Sequence, residues 1–150
     1  MKFNSVVYVG AVNWEHPGWQ GGFYPDDLPE DWLLSYYNTQ FQAVYLPAAF
    51  WKDVPELTWS RWLGDTLESF YFVLEPAGLM ATPHSERVIL ATPGWATEHI
   101  WWVDAAPDMR ALSRRILHHA AIGEPLFVFS GHADIRLLQQ INDLRQVMGY

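Results

Sequence analysis

Apolar residues fall along this chain in two alternating styles. Short continuous runs, V-V-Y-V (6–9), A-V-Y-L (43–46), F-Y-F-V-L (70–74) and P-L-F-V-F (125–129), are rich in β-branched and aromatic residues. Such runs mark strands buried on both faces. Between and after them apolar positions recur at a 3.6-residue period. Trp32, Leu33, Tyr36, Tyr37 and Phe41 form one stripe, and Trp59, Trp62, Leu63, Thr66 and Leu67 a second. Met109, Leu112, Ile116 and Ala120 form a third, and Ile135, Leu138, Ile141, Leu144 and Met148 a fourth. Each stripe is one face of a helix. Asp27-Leu28-Pro29-Glu30 and Asp53-Val54-Pro55-Glu56 read as helix starts, with an acidic cap, proline in the first turn and glutamate three residues on. Pro107-Asp108 opens the third helix and Gly123 closes it.

The order β-α-β-α-β with short connections predicts an α/β fold: a mainly parallel sheet of five to six strands flanked by helices, in a single domain spanning 1–150. Residues 87–104 are expected to form a hairpin, R-V-I-L-A-T and E-H-I-W-W-V-D joined through Pro93-Gly94-Trp95-Ala96-Thr97, in preference to an irregular helix over 98–104.

Composition narrows the function. Half of the 150 residues are hydrophobic and 17% are charged, which excludes a disordered chain. The net charge of −8, with no Lys/Arg run, argues against nucleic-acid and anionic-membrane partners, both of which need clustered positive charge. The absence of cysteine removes disulfides, thiolate metal sites and a thiol nucleophile. No apolar stretch approaches the ~20 residues of a membrane span, and the N-terminus lacks a secretory pattern, so a cytoplasmic protein is expected. No cofactor motif is present: the glycines at 18, 21 and 22 lack the Lys of a phosphate loop and the helix start of a dinucleotide turn.

The stretch after the first strand is the most distinctive. Gly10 and Trp14 are followed by Trp19-Gln20-Gly21-Gly22-Phe23-Tyr24-Pro25, then Leu33, Tyr37 and Phe41, then Val44 and Phe50-Trp51. In these residues the chain resembles the YecE-like family, a domain of unknown function built as a TIM-type barrel. Its members open with a strand ending G-T-S-G-W, then W-x-G-x-F-Y-P, a helix L-x-x-Y-x-x-x-F, and a strand V-E-I-N-x-x-F-Y. The resemblance covers roughly the first third of the chain and, loosely, the third strand. It implies a barrel-like fold with any site at the carboxyl ends of the strands. The family's polar strand-end residues are replaced: its glutamate falls at Tyr45, its asparagine at Pro47, the basic residue of the tryptophan loop at Gln20 and the third-strand lysine at Glu75. A full barrel needs ~250 residues, so the resemblance implies a truncated one. The edges and apolar face left uncovered by such truncation would be satisfied by a homodimer.

Two function classes follow. One is a non-catalytic or vestigial member acting as an oligomeric or partner-binding module. The other is a small-molecule hydrolase or lyase that uses Glu15, His16, Glu75 and His132 at strand ends, since carboxylates and imidazoles carry protons at neutral pH. Asn13, Trp14, Trp19, Trp51 and Trp95 are the candidate ligand-binding residues, an aromatic platform for a flat ligand or, alternatively, a plug or interface. No metal site is expected, because no H-x-H, H-E-x-x-H or D-x-D spacing occurs. Ser130, His132 and Asp134 lie too close in sequence for a catalytic triad; Ser130 as a helix cap with Asp134 in the first turn explains them. His119 reads as a core-edge residue, and Arg110, Arg114 and Arg115 as a solvated face or a local anion contact.

Overall fold

The buried runs become strands and the stripes become helices. The computed structural model describes residues 3–150; Met1 and Lys2, part of the N-terminal segment read above for a secretory pattern, lie outside the described residues. The elements run β1 (Val7–Ala11), α1 (Leu33–Gln40), β2 (Ala43–Leu46), α2 (Ala48–Trp51), α3 (Glu56–Gly64), β3 (Tyr71–Leu74), β4 (Val88–Leu90), α4 (Pro93–His99), β5 (Ile100–Trp102), α5 (Met109–Ile122), β6 (Leu126–Ser130) and α6 (Ile135–Met148). Every ladder is parallel. The ladders form two open three-stranded sheets, β1-β6-β5 and β2-β3-β4, where one sheet of five to six strands was expected.

The two sheets meet edge to edge along β1 and β2, joined by two backbone hydrogen bonds and, between them, by side chains. Gln42 N–H donates to Val9 O at 3.0 Å and Asn13 N–H to Tyr45 O at 2.9 Å. Between these two bonds the backbone ladder is interrupted. The Gln42 Oε1 accepts Val9 N–H at 3.0 Å. The Tyr37 hydroxyl, from α1, accepts Ala11 N–H at 2.7 Å and donates to Ala43 O at 2.8 Å. Tyr37 is fully buried, and burial drives its phenol pKa far upward, so the hydroxyl stays protonated and able to donate. The strands approach so closely here that a Cβ on Gly10 would lie 1.8 Å from Ala43 O.

One face of the sheets packs under helices: Val7, Val9, Val44, Phe72 and Val128 meet the inward residues of α1, α3, α5 and α6, among them Leu34, Trp62, Ile116 and Leu138. The other face is lined by Tyr8, Tyr71, Phe127 and Phe129, with Tyr45 and Trp102 beside them. The curl is strong enough that the Tyr45 ring on β2 lies 5.0 Å from Trp102 on β5, and Tyr71 on β3 lies 6.0 Å from Phe127 on β6. Aromatic rings thus fill the concave side.

The expected hairpin at 87–104 is replaced by a strand–helix–strand crossover. β4 pairs with β3 and β5 with β6, both in parallel, and parallel strands need a crossover rather than a tight turn. Thr92 is the extended N-cap and Pro93 the first helical residue of α4, the position proline tolerates best. α4 therefore runs from one outer strand to the other, with Trp95 packed 5.5 Å from Phe127. The expected acidic caps also shift. Asp27 sits at φ 63 in the preceding turn; Pro29 is the N-cap of a short 3-10 turn, Glu30–Trp32, that leads into α1, and Pro55 is the N-cap of α3, both without a side-chain cap. At α6 the cap is Asp134, which accepts Leu137 N–H at 3.1 Å, rather than Ser130. Arg87 closes α3 by donating to Leu63 O at 2.5 Å and Leu67 O at 2.6 Å.

Tyr37→Phe leaves a buried N–H and C=O unpaired at the seam, and urea unfolding is expected to show a loss of about 1–3 kcal/mol. Gly10→Ala, which forces a Cβ into backbone, is expected to abolish cooperative unfolding.

Candidate functional site

Because all six strands run the same way, their carboxyl ends and the loops that follow share one side of the molecule, where ligands bind in open parallel sheets. The candidate residues lie there with one exception, but they do not converge.

After β1, Asn13 takes a left-handed conformation (φ 47) and its Oδ1 accepts Glu15 N–H at 2.8 Å. Trp14 is buried against Trp62 and Phe50, with ring centroids 4.8 and 5.4 Å away. Its carbonyl accepts the Tyr24 hydroxyl at 2.6 Å. Burial, and secondarily Glu15, pushes the Tyr24 phenol up. Glu15 itself is exposed. His16 Nε2 lies 2.6 Å from Val12 O and its ring 4.3 Å from Trp19. Trp19 is buried, lies parallel to Tyr37 and donates its indole N–H to Ala133 O at 3.2 Å. It pins the first loop to the last.

After β2 and β3 the same habit recurs. The Trp51 indole donates to Glu75 O at 2.9 Å, and Glu75 Oε1 accepts Ala48 N–H at 2.8 Å. Trp14, Trp19 and Trp51 are thus core side chains with their faces covered. They do not form an open platform. The exception is Trp95, which lies on α4 against Phe127 near the start of β6 and stacks on His99 at 4.9 Å. His132 is exposed.

The organising polar group at this end is Asp104, which sequence reasoning passed over. From the loop after β5 its Oδ1 accepts the Ser130 hydroxyl at 2.9 Å. Its Oδ2 accepts the backbone N–H of Gly131 and, at 3.2 Å, that of His132. Ser130 is fully buried and its Oγ accepts Asp134 N–H at 3.0 Å. The signal available in sequence was a lone aspartate closing W-W-V-D. Tyr45, Trp102 and Phe129 cluster beside this group. Burial, then Glu75, raises the Tyr45 phenol. A separate cleft of ≈ 380 Å³ opens between α3 and the loop after β3, lined by Trp51, Lys52, Glu56, Trp59, Ser60 and His84. Among the described residues no three His, Asp or Glu side chains are placed to hold a metal ion, and no helix is long and apolar enough to cross a membrane.

A family model described as a protein of unknown function, DUF72, matches residues 8–83. The chain belongs to the DUF72 family. The match takes in the seam residues Gly10, Tyr37 and Gln42 and the whole tryptophan–glycine loop; Asp104 and Ser130 fall beyond it. A crystal structure of a DUF72 family protein from Thermotoga maritima is similar at 21% identity, with a TM-score of 0.41, over 82% of this chain and 43% of that one. The chain therefore spans less than half the length of that relative. No curated protein matches it.

Asp104→Ala removes the acceptor for three donors. It is expected to cost about 1–3 kcal/mol in urea unfolding and to speed amide exchange at Gly131 and His132, while exchange in β2 and β3 stays slow.

Proposed function

We propose that this DUF72 member is a non-catalytic binding module: a YecE-like chain whose curled sheet is a shortened, opened TIM-type barrel and whose strand-end polar groups have turned structural. One observation carries the reading. Two of the four candidate proton carriers are spent on fastening backbone, Glu75 holding Ala48 N–H and His16 bonding Val12 O. Asp104 holds the loop after β6 in the same way, while Glu15 and His132 stand exposed on separate loops. General acid–base catalysis needs a side chain within reach of a substrate proton, in a pocket that admits the substrate. The most ring-rich positions at this end are filled by the protein itself.

The partner we propose is a second copy of the chain. β4 is an outer strand of only three residues, and Leu79, Met80 and Leu90 are exposed on it and on the segment before it. Outer strands with apolar neighbours are commonly covered in pairs. The net charge of −8 favours protein partners over nucleic acid or anionic membrane.

The second reading, a small-molecule hydrolase or lyase with a site at the strand ends, draws support from the ≈ 380 Å³ cleft, where Lys52, Glu56 and His84 meet two tryptophans. The two readings separate by experiment. Light scattering on the eluted protein is expected to give twice the 17.3 kDa chain mass, and Leu90→Glu to return it to one chain. A wild-type mass of one chain overturns the dimer. An activity that disappears in Glu75→Gln and His132→Ala, with the fold retained, overturns the non-catalytic reading.

A further inference from the structure

Away from the strand-end loops, the densest group of titratable side chains lies where α4 meets α5 and the loop into β6. His99, Arg115, His118, His119 and Glu124 line a cleft of ≈ 580 Å³, with Glu98 at its rim. His119 is buried, and its two ring nitrogens have opposite duties. Arg115 Nε–H donates to Nε2 at 3.0 Å, so Nε2 carries the lone pair. Nδ1 lies 3.1 Å from Glu124 O and donates to it. Only the neutral imidazole protonated on Nδ1 satisfies both contacts. The same guanidinium reaches with Nη2 to Thr97 O at 3.3 Å and Glu98 O at 2.9 Å. These carbonyls sit in the last turn of α4, where helices leave acceptors unsatisfied and favour a cation. His119 orients Arg115, and Arg115 holds the end of α4. α4 in turn carries Trp95 onto Phe127 across the open side of the sheet.

We propose that the Arg115–His119 pair is a pH-sensitive latch that seats α4, and that protonation of His119 releases it. An imidazolium has two donors and no acceptor. Protonation therefore strips Arg115 Nε–H of its partner and leaves two cations side by side. The groups facing His119 are Arg115 and His118 from α5, His99 from α4, and the Glu124 carbonyl from the loop. Burial opposes the charge most strongly, and Arg115, His99 and His118 add to that, against the favourable Glu124 carbonyl. His119 therefore titrates below the ordinary imidazole value. The His99 Nε2 lies 3.5 Å from the Glu124 carboxylate, so that carboxylate faces α4 while the Glu124 carbonyl faces His119. The sign follows from linkage. A histidine with a lowered folded-state pKa contributes stability that is complete above the unfolded value of about 6.5 and is lost as pH falls below it.

Amide exchange corrected for intrinsic rates tests this in the full chain, with α6 as internal reference. Between pH 7.5 and pH 5.0 the wild-type α4 amides are expected to lose about tenfold or more in protection relative to α6. His119→Gln keeps an acceptor for Arg115 and a donor for Glu124 O but does not titrate, so its α4 protection is expected to stay level. Arg115→Gln, which removes the grip itself, is expected to show low α4 protection at both pH values with no step. Level wild-type protection, a parallel fall in His119→Gln, or a retained step in Arg115→Gln each overturns the latch; the last of these keeps the test decisive even if His119→Gln does not fold.

Discussion

The structure depends on a phenol placed where a backbone hydrogen bond would ordinarily be. Two three-stranded sheets abut along β1 and β2, and the Tyr37 hydroxyl takes the N–H of one strand and gives to the carbonyl of the other. A buried peptide group left unpaired costs more than a made hydrogen bond returns, so this single oxygen is far more valuable than its size suggests. It also fixes α1 against the seam, because the side chain that closes the gap is rooted in that helix. Trp19 lies parallel to the same ring and donates to Ala133 at the far end of the chain. The tryptophan–glycine loop thereby becomes part of the core, and Gly10 sits where the backbones approach too closely for a side chain.

From that constraint follows the character of the strand ends. A loop drawn inward to cover Tyr37 must find partners for its own polar groups, and its side chains provide them: Asn13 Oδ1 accepts Glu15 N–H, the Tyr24 hydroxyl donates to Trp14 O and His16 bonds Val12 O. Asp104 does for the loop after β6 what Glu75 does for α2. The aromatic side chains that remain on the concave face, Tyr45, Trp102 and Phe129, press against one another. Function in such a chain has to be sought on its outer surface and in its clefts rather than down the axis of the sheet.

Much of this was legible before the coordinates. The runs at β1, β2, β3 and β6 are buried on both faces, so they read as unbroken apolar segments. The helix stripes carried most of the inward residues but also Trp32 and Leu67, which lie beyond the helix ends and are exposed, and missed the buried Leu34. Residues 87–104 were not legible, because β4 and β5 are three residues each and only partly buried. Their periodicity is too short to separate a turn from the seven-residue helix, about two turns, that joins them. Trp14, Trp19 and Trp51 lie in the strand-end segments and Trp95, on α4, does not. The facing of none of them was available in the sequence: whether a ring covers a ligand or a core depends on which helices close over it. Asp104 escaped notice because its partners are a hydroxyl and backbone N–H groups more than two dozen residues away, and no local spacing announces such a contact.

The pairing of β1 with β6, Val7 opposite Leu126, has a consequence for how the chain is made. Synthesis proceeds from the amino end, so β1 emerges well before β6, its ladder partner, exists. Contacts of that span are also the costliest in chain entropy to close. The seam with β2 is a far shorter loop and can form while translation continues. Tyr37 and Gln42 then bond one edge of the nascent apolar strand before β6 pairs with the other, and they keep those bonds in the finished fold.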